Sequence, residues 1–350
     1  MIATDAWRPQ VNGVVRSLAT TVEHLAAGGH DVLVIEPGLF RTIPCPTYPE
    51  IRLALRCGPG VNRMIENFRP DAVHIATEGP IGWAARHACL QEHRSFTTAF
   101  HTRFPDYVSI RTGIPAKWIW KVMRRFHGAA EQTFAATTAL AAELKANGIE
   151  HTHYWPRGVD LDQFNPSVPP HPKLDSLPRP LLLNVGRVAV EKNIGAFLDC
   201  KVAGTKVVVG GGPALELFRR RYPEAVFMGE KHGRELASCY TAADVFVFPS
   251  RTDTFGLVNI EAMACGVPVA AFPVQGPADI IGPRECGLHG GSLPIGALDE
   301  DLAVAIRRAL KADRTAAAME AGNYAWQRCT DLFLTGLSIR GGKELRRLAA

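Results

Sequence analysis

The stretch LLLNVGRVAVEKNIGAFL, residues 181–198, decides the architecture. Leu181 to Val185 is an uncharged run of strand length, Gly186-Arg187 turns the chain, and Lys192 stands five residues on, at the start of an expected helix. A strand, a glycine turn, two cations and a helix start form an anion site, because free backbone N–H groups and the helix dipole add to the side-chain charges. A diphosphate fits that chemistry. Downstream, Lys206–Val209, Val226–Met228, Val245–Phe248 and Val267–Ala271 repeat the pattern, each strand-like run followed by a helical one.

The first half has the same rhythm. Val32–Ile35, Ala72–Ile75, Phe96–Phe100 and Phe134–Thr137 read as buried strands. Val14, Val15, Leu18, Ala19, Val22, Leu25 and Ala26 form a stripe of helical period that stops at Gly28-Gly29. Strands alternating with helices mean parallel sheets covered by helices, an α/β class. NPSVPPHPKLDSLPRP (Asn165 to Pro180) separates the halves, and its prolines exclude a long helix or a central strand, so it reads as a domain linker. Two Rossmann-like, doubly wound domains facing each other are expected, with chemistry beyond the carboxyl ends of their strands. The expected divisions are 1–165 for a first Rossmann-like domain, 166–320 for a second, and 321–350 for a helical segment packing back toward the first.

Composition narrows the function class. The 350 residues are 47% hydrophobic and 21% charged, ordinary for a globular chain of about two domains. A formal charge of +5 is too small for a dedicated nucleic-acid binder but suits anionic small molecules or an acidic membrane surface. The eight cysteines include no C-x-x-C pair, which argues against zinc and against a disulfide framework. With no apolar run long enough to span a bilayer and no signal-peptide pattern, the expected place is the cytoplasm, peripheral on the inner face of the membrane.

A second motif follows Val245–Phe248. PSRTDTFGLVNIEAMACGVPVAAFPV (Pro249 to Val274) carries Asp253 and Glu261 on either side of Phe255-Gly256-Leu257 at a helix start. Glycine there lets backbone amides approach a ligand, and the two carboxylates accept sugar and ribose hydroxyls. For Glu261 alone, a helix N-terminal charge is also an adequate reading.

These motifs resemble those of retaining glycosyltransferases of family 4, which have the two-domain GT-B fold. The acid, seven residues and glutamate after Pro249-Ser250, and the Arg187/Lys192 pair, are the most specific matches. TDAWRPQVNGVV with Asn12-Gly13, FHTRFPDY with His101 and Arg103, RGVD (Arg157 to Asp160) and the glycine-rich Val209–Pro213 extend the likeness over nearly the whole chain. The resemblance implies that Gly13 approaches the donor phosphate or acceptor and that His101 sits over the transferred sugar. It implies that Arg187 and Lys192, beside Gly186, neutralise the leaving diphosphate and that Asp253 holds sugar hydroxyls. Phe255, Gly256 and Leu257 would offer main-chain contacts and Glu261 would bind ribose, with Gly211 and Met228 completing the donor site. His101, Arg187, Lys192 and Asp253 are the expected catalytic set.

The same likeness, through YPEIRLAL and TDTFGLV, is strongest to bacterial GDP-mannose-dependent mannosyltransferases and related glycolipid synthases. GDP-mannose is the first expected donor and UDP-glucose the second, as co-substrates rather than cofactors; no cofactor and no metal are expected. The acceptor is a lipid or saccharide hydroxyl. A nucleotide-sugar epimerase and a non-catalytic sugar-nucleotide binder are the rivals; a dehydrogenase is disfavoured because no G-x-G-x-x-G follows either first strand.

Three departures or distractors stand out. The chain opens at Met1-Ile2-Ala3-Thr4, so strand one is expected to be short and the start to fall late. Gly211 stands where relatives often carry an acid, which weakens the nucleotide end. Asp160-Leu161-Asp162 and His151-Thr152-His153 imitate metal motifs but lack further ligands. Lys117, Lys121, Arg124 and Arg125 interleave with Trp118, Ile119, Trp120, Val122 and Phe126 in a basic amphipathic helix, suited either to an anionic membrane or to simple packing on the first domain.

Overall fold

The computed structural model describes residues 1–10, 12–45, 48–101, 114–251, 253 and 255–338. The chain divides into two compact units, one of Met1–Pro156 with the stretch from Trp326 on, the other of Arg157–Ala325.

In the first unit a six-stranded parallel sheet runs in the order β2-β1-β5-β6-β7-β8. Its strands are β1 (Ile2–Ala3), β2 (Val34–Ile35), β5 (His74–Ile75), β6 (Thr97–Phe100), β7 (Gln132–Ala135) and β8 (Thr152–Tyr154). An antiparallel hairpin, β3 (Thr42–Cys45) and β4 (Tyr48–Ala54), stands apart from it. The helix Gly13–Ala27 carries the expected stripe, burying Val15, Leu18 and Leu25. Its end has a plain cause: the N–H of Gly28 bonds the carbonyl of His24, and Gly29 takes a left-handed φ of +82°.

The last described helix, Trp326–Gly336, belongs to this unit. Phe333 meets Trp155 and Phe134 with ring centroids 5.0 and 5.5 Å apart, and the ring of His153 donates from Nε2 to the Leu332 carbonyl at 2.7 Å. Gly336 lets the helix approach, since a β-carbon there would lie 2.4 Å from the His153 ring. His153 is therefore a packing residue, with burial pushing its pKa down.

The second unit has the sheet order β11-β10-β9-β12-β13-β14, again parallel throughout. Here β9 is Leu181–Val185, β10 Thr205–Val209, β11 Val226–Gly229, β12 Val245–Phe248, β13 Val269–Ala271 and β14 Gly296–Leu298. Central β9 and β12 are buried along their whole length, as strands covered on both faces must be. The order reverses between β9 and β12, and ligands of doubly wound sheets bind outside the carboxyl ends at such a reversal.

The proline-rich stretch lies inside this unit rather than between domains. Val159 N–H bonds the Tyr324 carbonyl at 2.8 Å, Phe164 packs edge-on to Tyr240, and Val168 and Leu174 are buried. One helical turn, Pro172–Asp175, forms within it because proline is tolerated at the first helical position.

Glycines join the strand ends. The N–H of Gly186 bonds the Val209 carbonyl, that of Val188 the Gly211 carbonyl, and that of Gly210 the Gly229 carbonyl. A β-carbon on Gly210 would lie 1.9 Å from the Gly186 carbonyl oxygen, and one on Gly212 2.5 Å from that of Val188. We expect Gly210→Ala to cost about 3 kcal/mol or more, combining a positive φ with a backbone clash. Gly29→Ala, whose β-carbon meets nothing within 4 Å, should cost about 1–2 kcal/mol. Thermal melts of the two variants beside the wild type measure the gap; equal shifts would contradict this account.

Candidate active site

At the strand reversal, the loops after β9 and β12 meet. Lys192 Nζ donates to Asp253 Oδ1 at 2.6 Å, joining one loop to the other. Asn193, held in a left-handed φ of +53°, adds a bond from Nδ2 to the Pro249 carbonyl at 3.0 Å. The second carboxylate oxygen, Asp253 Oδ2, is buried with no hydrogen-bond partner among the described residues. A buried acceptor left open beside a cation is suited to a ligand hydroxyl.

Arg187 also carries a partner of its own. It is exposed and paired with Glu191, an acid the sequence reading passed over although its i,i+4 spacing is the signal for such a pair. Its own backbone amide first, and then the Arg187 charge, hold the Glu191 carboxyl below the usual range. Both expected diphosphate cations thus carry an acid partner. Lys192 also ends a short 3-10 turn, Val190–Lys192, and the helix proper begins at Ile194, so the expected helix start at Lys192 is displaced by the left-handed Asn193.

Gly256 precedes the helix Leu257–Ala264 with φ +80°, and a β-carbon there would meet Asn259 Nδ2 at 2.6 Å. Phe255 is buried edge-on to Tyr324, so its side chain anchors the loop and only its backbone faces outward chemistry. Glu261 lies in the second turn of that helix, not the first, and is 2% exposed. Tyr240 donates to its Oε2 at 3.0 Å, a partner no local spacing could reveal. Gly186 offers open space where a side chain would stand. Gly211 follows β10, and Met228 is half-buried in β11.

In the first unit, Asn12 is a helix cap. Its Oδ1 accepts from the N–H groups of Val14 and Val15, both at 3.0 Å, with Gly13 as the first helical residue. His101 follows β6, its ring edge-on to Trp155 at 5.9 Å. Arg103 lies outside the described residues. Lys117, Lys121, Arg124 and Arg125 lie on the helix Ala116–His127. Arg124 Nη1 donates to the Asn147 carbonyl at 3.3 Å, so it is tied to its own unit.

Other groups escaped the sequence reading. Asp5, just beyond β1, caps the helix Pro80–Gln91 that follows the adjacent strand β5: Oδ1 accepts from Ile81 N–H at 2.9 Å, and Oδ2 from Gly82 N–H at 3.3 Å and the Thr77 hydroxyl at 2.9 Å. Burial pushes its carboxyl up. Glu78 faces His127 at 3.3 Å, and His127 Nδ1 pairs with the Thr98 hydroxyl. Asp160 uses Oδ1 to accept from the N–H groups of Asp162 and Gln163, making a turn. Among the described residues no three His, Cys, Asp or Glu side chains gather as a metal group.

The family models match in chain order: Glycosyltransferase Family 4 over residues 11–163 and Glycosyl transferases group 1 over 179–312. A GDP-mannose-dependent alpha-mannosyltransferase of Mycobacterium tuberculosis is 33% identical over 87% of this chain and 86% of its own. The chain belongs to glycosyltransferase family 4. A sulfoquinovosyl transferase of Arabidopsis thaliana is 31% identical, over 91% of this chain and 69% of its own. Among solved structures, a sucrose-phosphate synthase from Thermosynechococcus elongatus superposes with TM-score 0.68 over 95% of this chain and 96% of its own, at 21% identity. The fold is the two-domain GT-B architecture, and the protein is a glycosyltransferase.

Tyr240→Phe tests the buried pair in this glycosyltransferase. Losing the donor to a buried carboxylate should cost about 1.5–3 kcal/mol of stability. An unchanged melting temperature would mean that Tyr240 does not hold Glu261.

Proposed function

We propose that this glycosyltransferase moves mannose from GDP-mannose, with retention of anomeric configuration, to a hydroxyl of a lipid acceptor at an anionic membrane surface. The observation that carries the donor half is the Lys192–Asp253 pair at the strand reversal, with Asp253 Oδ2 open beside it. The relatives named GDP-mannose-dependent support the sugar and base.

The chemistry follows from charge. When the bond between sugar and diphosphate breaks, negative charge grows on the phosphates while the sugar becomes oxocarbenium-like. Arg187 and Lys192 exchange their acid partners for phosphate oxygens and stabilise that charge, which preorganised groups do without reorganisation. Asp253, released from Lys192, takes sugar hydroxyls. Glu261 accepts from ribose, and its bond from Tyr240 fixes the carboxylate orientation. Gly13 and His101 keep the donor-phosphate and transferred-sugar roles that the resemblance assigns. In this reading the two cations replace a divalent metal at the leaving group, and turnover persists in excess EDTA.

Expected behaviour is release of GDP from GDP-mannose, faster than of UDP from UDP-glucose or UDP-galactose, when lipid extract supplies the acceptor. Lys192→Ala should lower turnover about a hundredfold. Mass spectrometry of product and nucleoside diphosphate decides; a preference for UDP-glucose would overturn the donor assignment.

The acceptor half rests on the helix Ala116–His127. Its inner side buries Met123, Phe126 and His127, and Trp120 stacks on Phe100. Its outer side exposes Trp118 and Val122, with Ile114 just before it, flanked by Lys117, Lys121 and Arg125. The ammonium groups of Lys117 and Lys121 lie 5.9 and 5.8 Å from the Trp118 ring centroid. Cations near anionic headgroups contribute about 1 kcal/mol each, and the indole enters the interface. No helix among the described residues is long and apolar enough to cross a membrane.

Wild type should sediment with anionic vesicles and less so in high salt. A Lys117→Gln, Lys121→Gln, Arg125→Gln triple variant should sediment markedly less. Equal sedimentation of the two proteins would point to a soluble saccharide acceptor.

A further inference from the structure

Gly211 was expected to weaken the nucleotide end, because it lacks an acid. The space its side chain would fill is occupied. A β-carbon on Gly211 would lie 2.4 Å from Glu230 Oε1 and 2.9 Å from both Cγ and Cδ of the same residue. Glu230 follows β11 after Gly229, whose left-handed φ of +69° turns the chain at the strand end. The bare glycine therefore lets a carboxylate from the neighbouring strand lie over the β10 turn.

That carboxylate is exposed and has no ion pair or hydrogen bond among the described residues. The adjacent cation does not neutralise it: Lys231 Nζ bonds Glu235 Oε1 at 2.5 Å, and His171 stands 3.8 Å from the same oxygen. A bare carboxylate facing solvent needs no explanation by itself. Its place does: β11 is two strands from β9, or about 10 Å from the diphosphate turn, roughly the reach of a ribose and a base.

The direction of the nucleoside is constrained as well. From the strand reversal it can extend over the ends of β10 and β11 or over those of β13 and β14. On the latter side the Arg251 guanidinium covers the Phe272 ring at 3.7 Å and pairs with Glu300 at 2.9 Å. On the former side Gly186, Gly210, Gly211, Gly212 and Gly229 form a floor of bare backbone that ends at Glu230.

We infer that Glu230 is the residue that selects guanine: its two oxygens accept the adjacent N1–H and exocyclic N2–H of a guanine ring lying beside it over the ends of β10 and β11. The inference rests on the GDP-mannose reading of the same site and names the residue that enforces it. A carboxylate offers only acceptors, so it matches two neighbouring donors with charge-assisted bonds. The uracil edge presents one N–H between two carbonyl oxygens, and a carboxylate facing it meets like charge. Hypoxanthine keeps N1–H but lacks the exocyclic amine, which isolates the second bond.

Calorimetric titration of the full chain with GDP, IDP and UDP tests this, using wild type, Glu230→Gln and Gly211→Ala. Wild type should bind GDP about tenfold or more tighter than IDP and UDP, the scale of one charge-assisted hydrogen bond. Glu230→Gln should bring GDP and IDP within a few-fold of each other and leave UDP binding equal or tighter. Gly211→Ala should do the same, because its methyl displaces the carboxylate while the backbone stays unstrained. If wild type prefers GDP and both variants keep the full GDP-to-IDP ratio, Glu230 is not the selector, although the donor reading stands. If wild type prefers UDP, the donor reading fails and this inference with it.

Discussion

The close approach of backbone to backbone at the ends of β9, β10 and β11 is the constraint on which the site depends. Gly210 and Gly212 bring the turns of adjacent parallel strands so near that a single β-carbon on either would overlap a carbonyl oxygen, that of Gly186 or of Val188. Adjacent strands stand about 4.8 Å apart, and turns of ordinary residues would bury that spacing under side chains. Glycine leaves amides and open space at the surface, which is what an anionic, flat ligand needs. The same residues that draw the turns of the second sheet together are the ones that the proposed function uses as a binding edge.

Electrostatics then decides how that surface is used. Under the proposed function, Lys192 with Asp253, and Arg187 with Glu191, are exchange pairs rather than stability devices, since each member is partly exposed and such pairs are worth at most about 1 kcal/mol. In that proposal a diphosphate, which carries more charge than either carboxylate, displaces them from the cations. In the same proposal the partner acids hold the long cationic side chains in place and shorten the rearrangement on binding. Asp253 has both roles, with one oxygen on Lys192 and the other open.

The first unit builds its support differently. Asp5 reaches from the end of β1 to cap a helix that follows β5, and Glu78, His127 and Thr98 form a second buried polar group nearby in the fold. Buried polar groups are costly unless satisfied, so these links hold the strand ends in one arrangement. The outer face of the helix Ala116–His127 is free of such duties. There Trp118 and its flanking lysines face outward, in contrast to Trp120, which is committed to Phe100.

What the sequence determined by itself was whatever depends on residues close in the chain. Hydrophobic runs of strand length, the stripe from Val14 to Ala26 and the glycine turns set two parallel α/β units, because period and turn chemistry are local properties. The spacing of Asp253 and Glu261, and the Gly186-Arg187 turn with Lys192, marked the loops that meet at the strand reversal. Tertiary structure alone decided the partners. Tyr240 meets Glu261 across 21 residues, Asp5 caps a helix 76 residues away, and Lys192 crosses 61 residues to Asp253. It also moved the expected linker into the second unit, gave Asn12 to a helix cap and laid Glu230 over Gly211. Those outcomes turn on which side chains converge once strands are placed side by side. Pairing between distant loops leaves no periodic trace in the chain, so only the folded arrangement can show it.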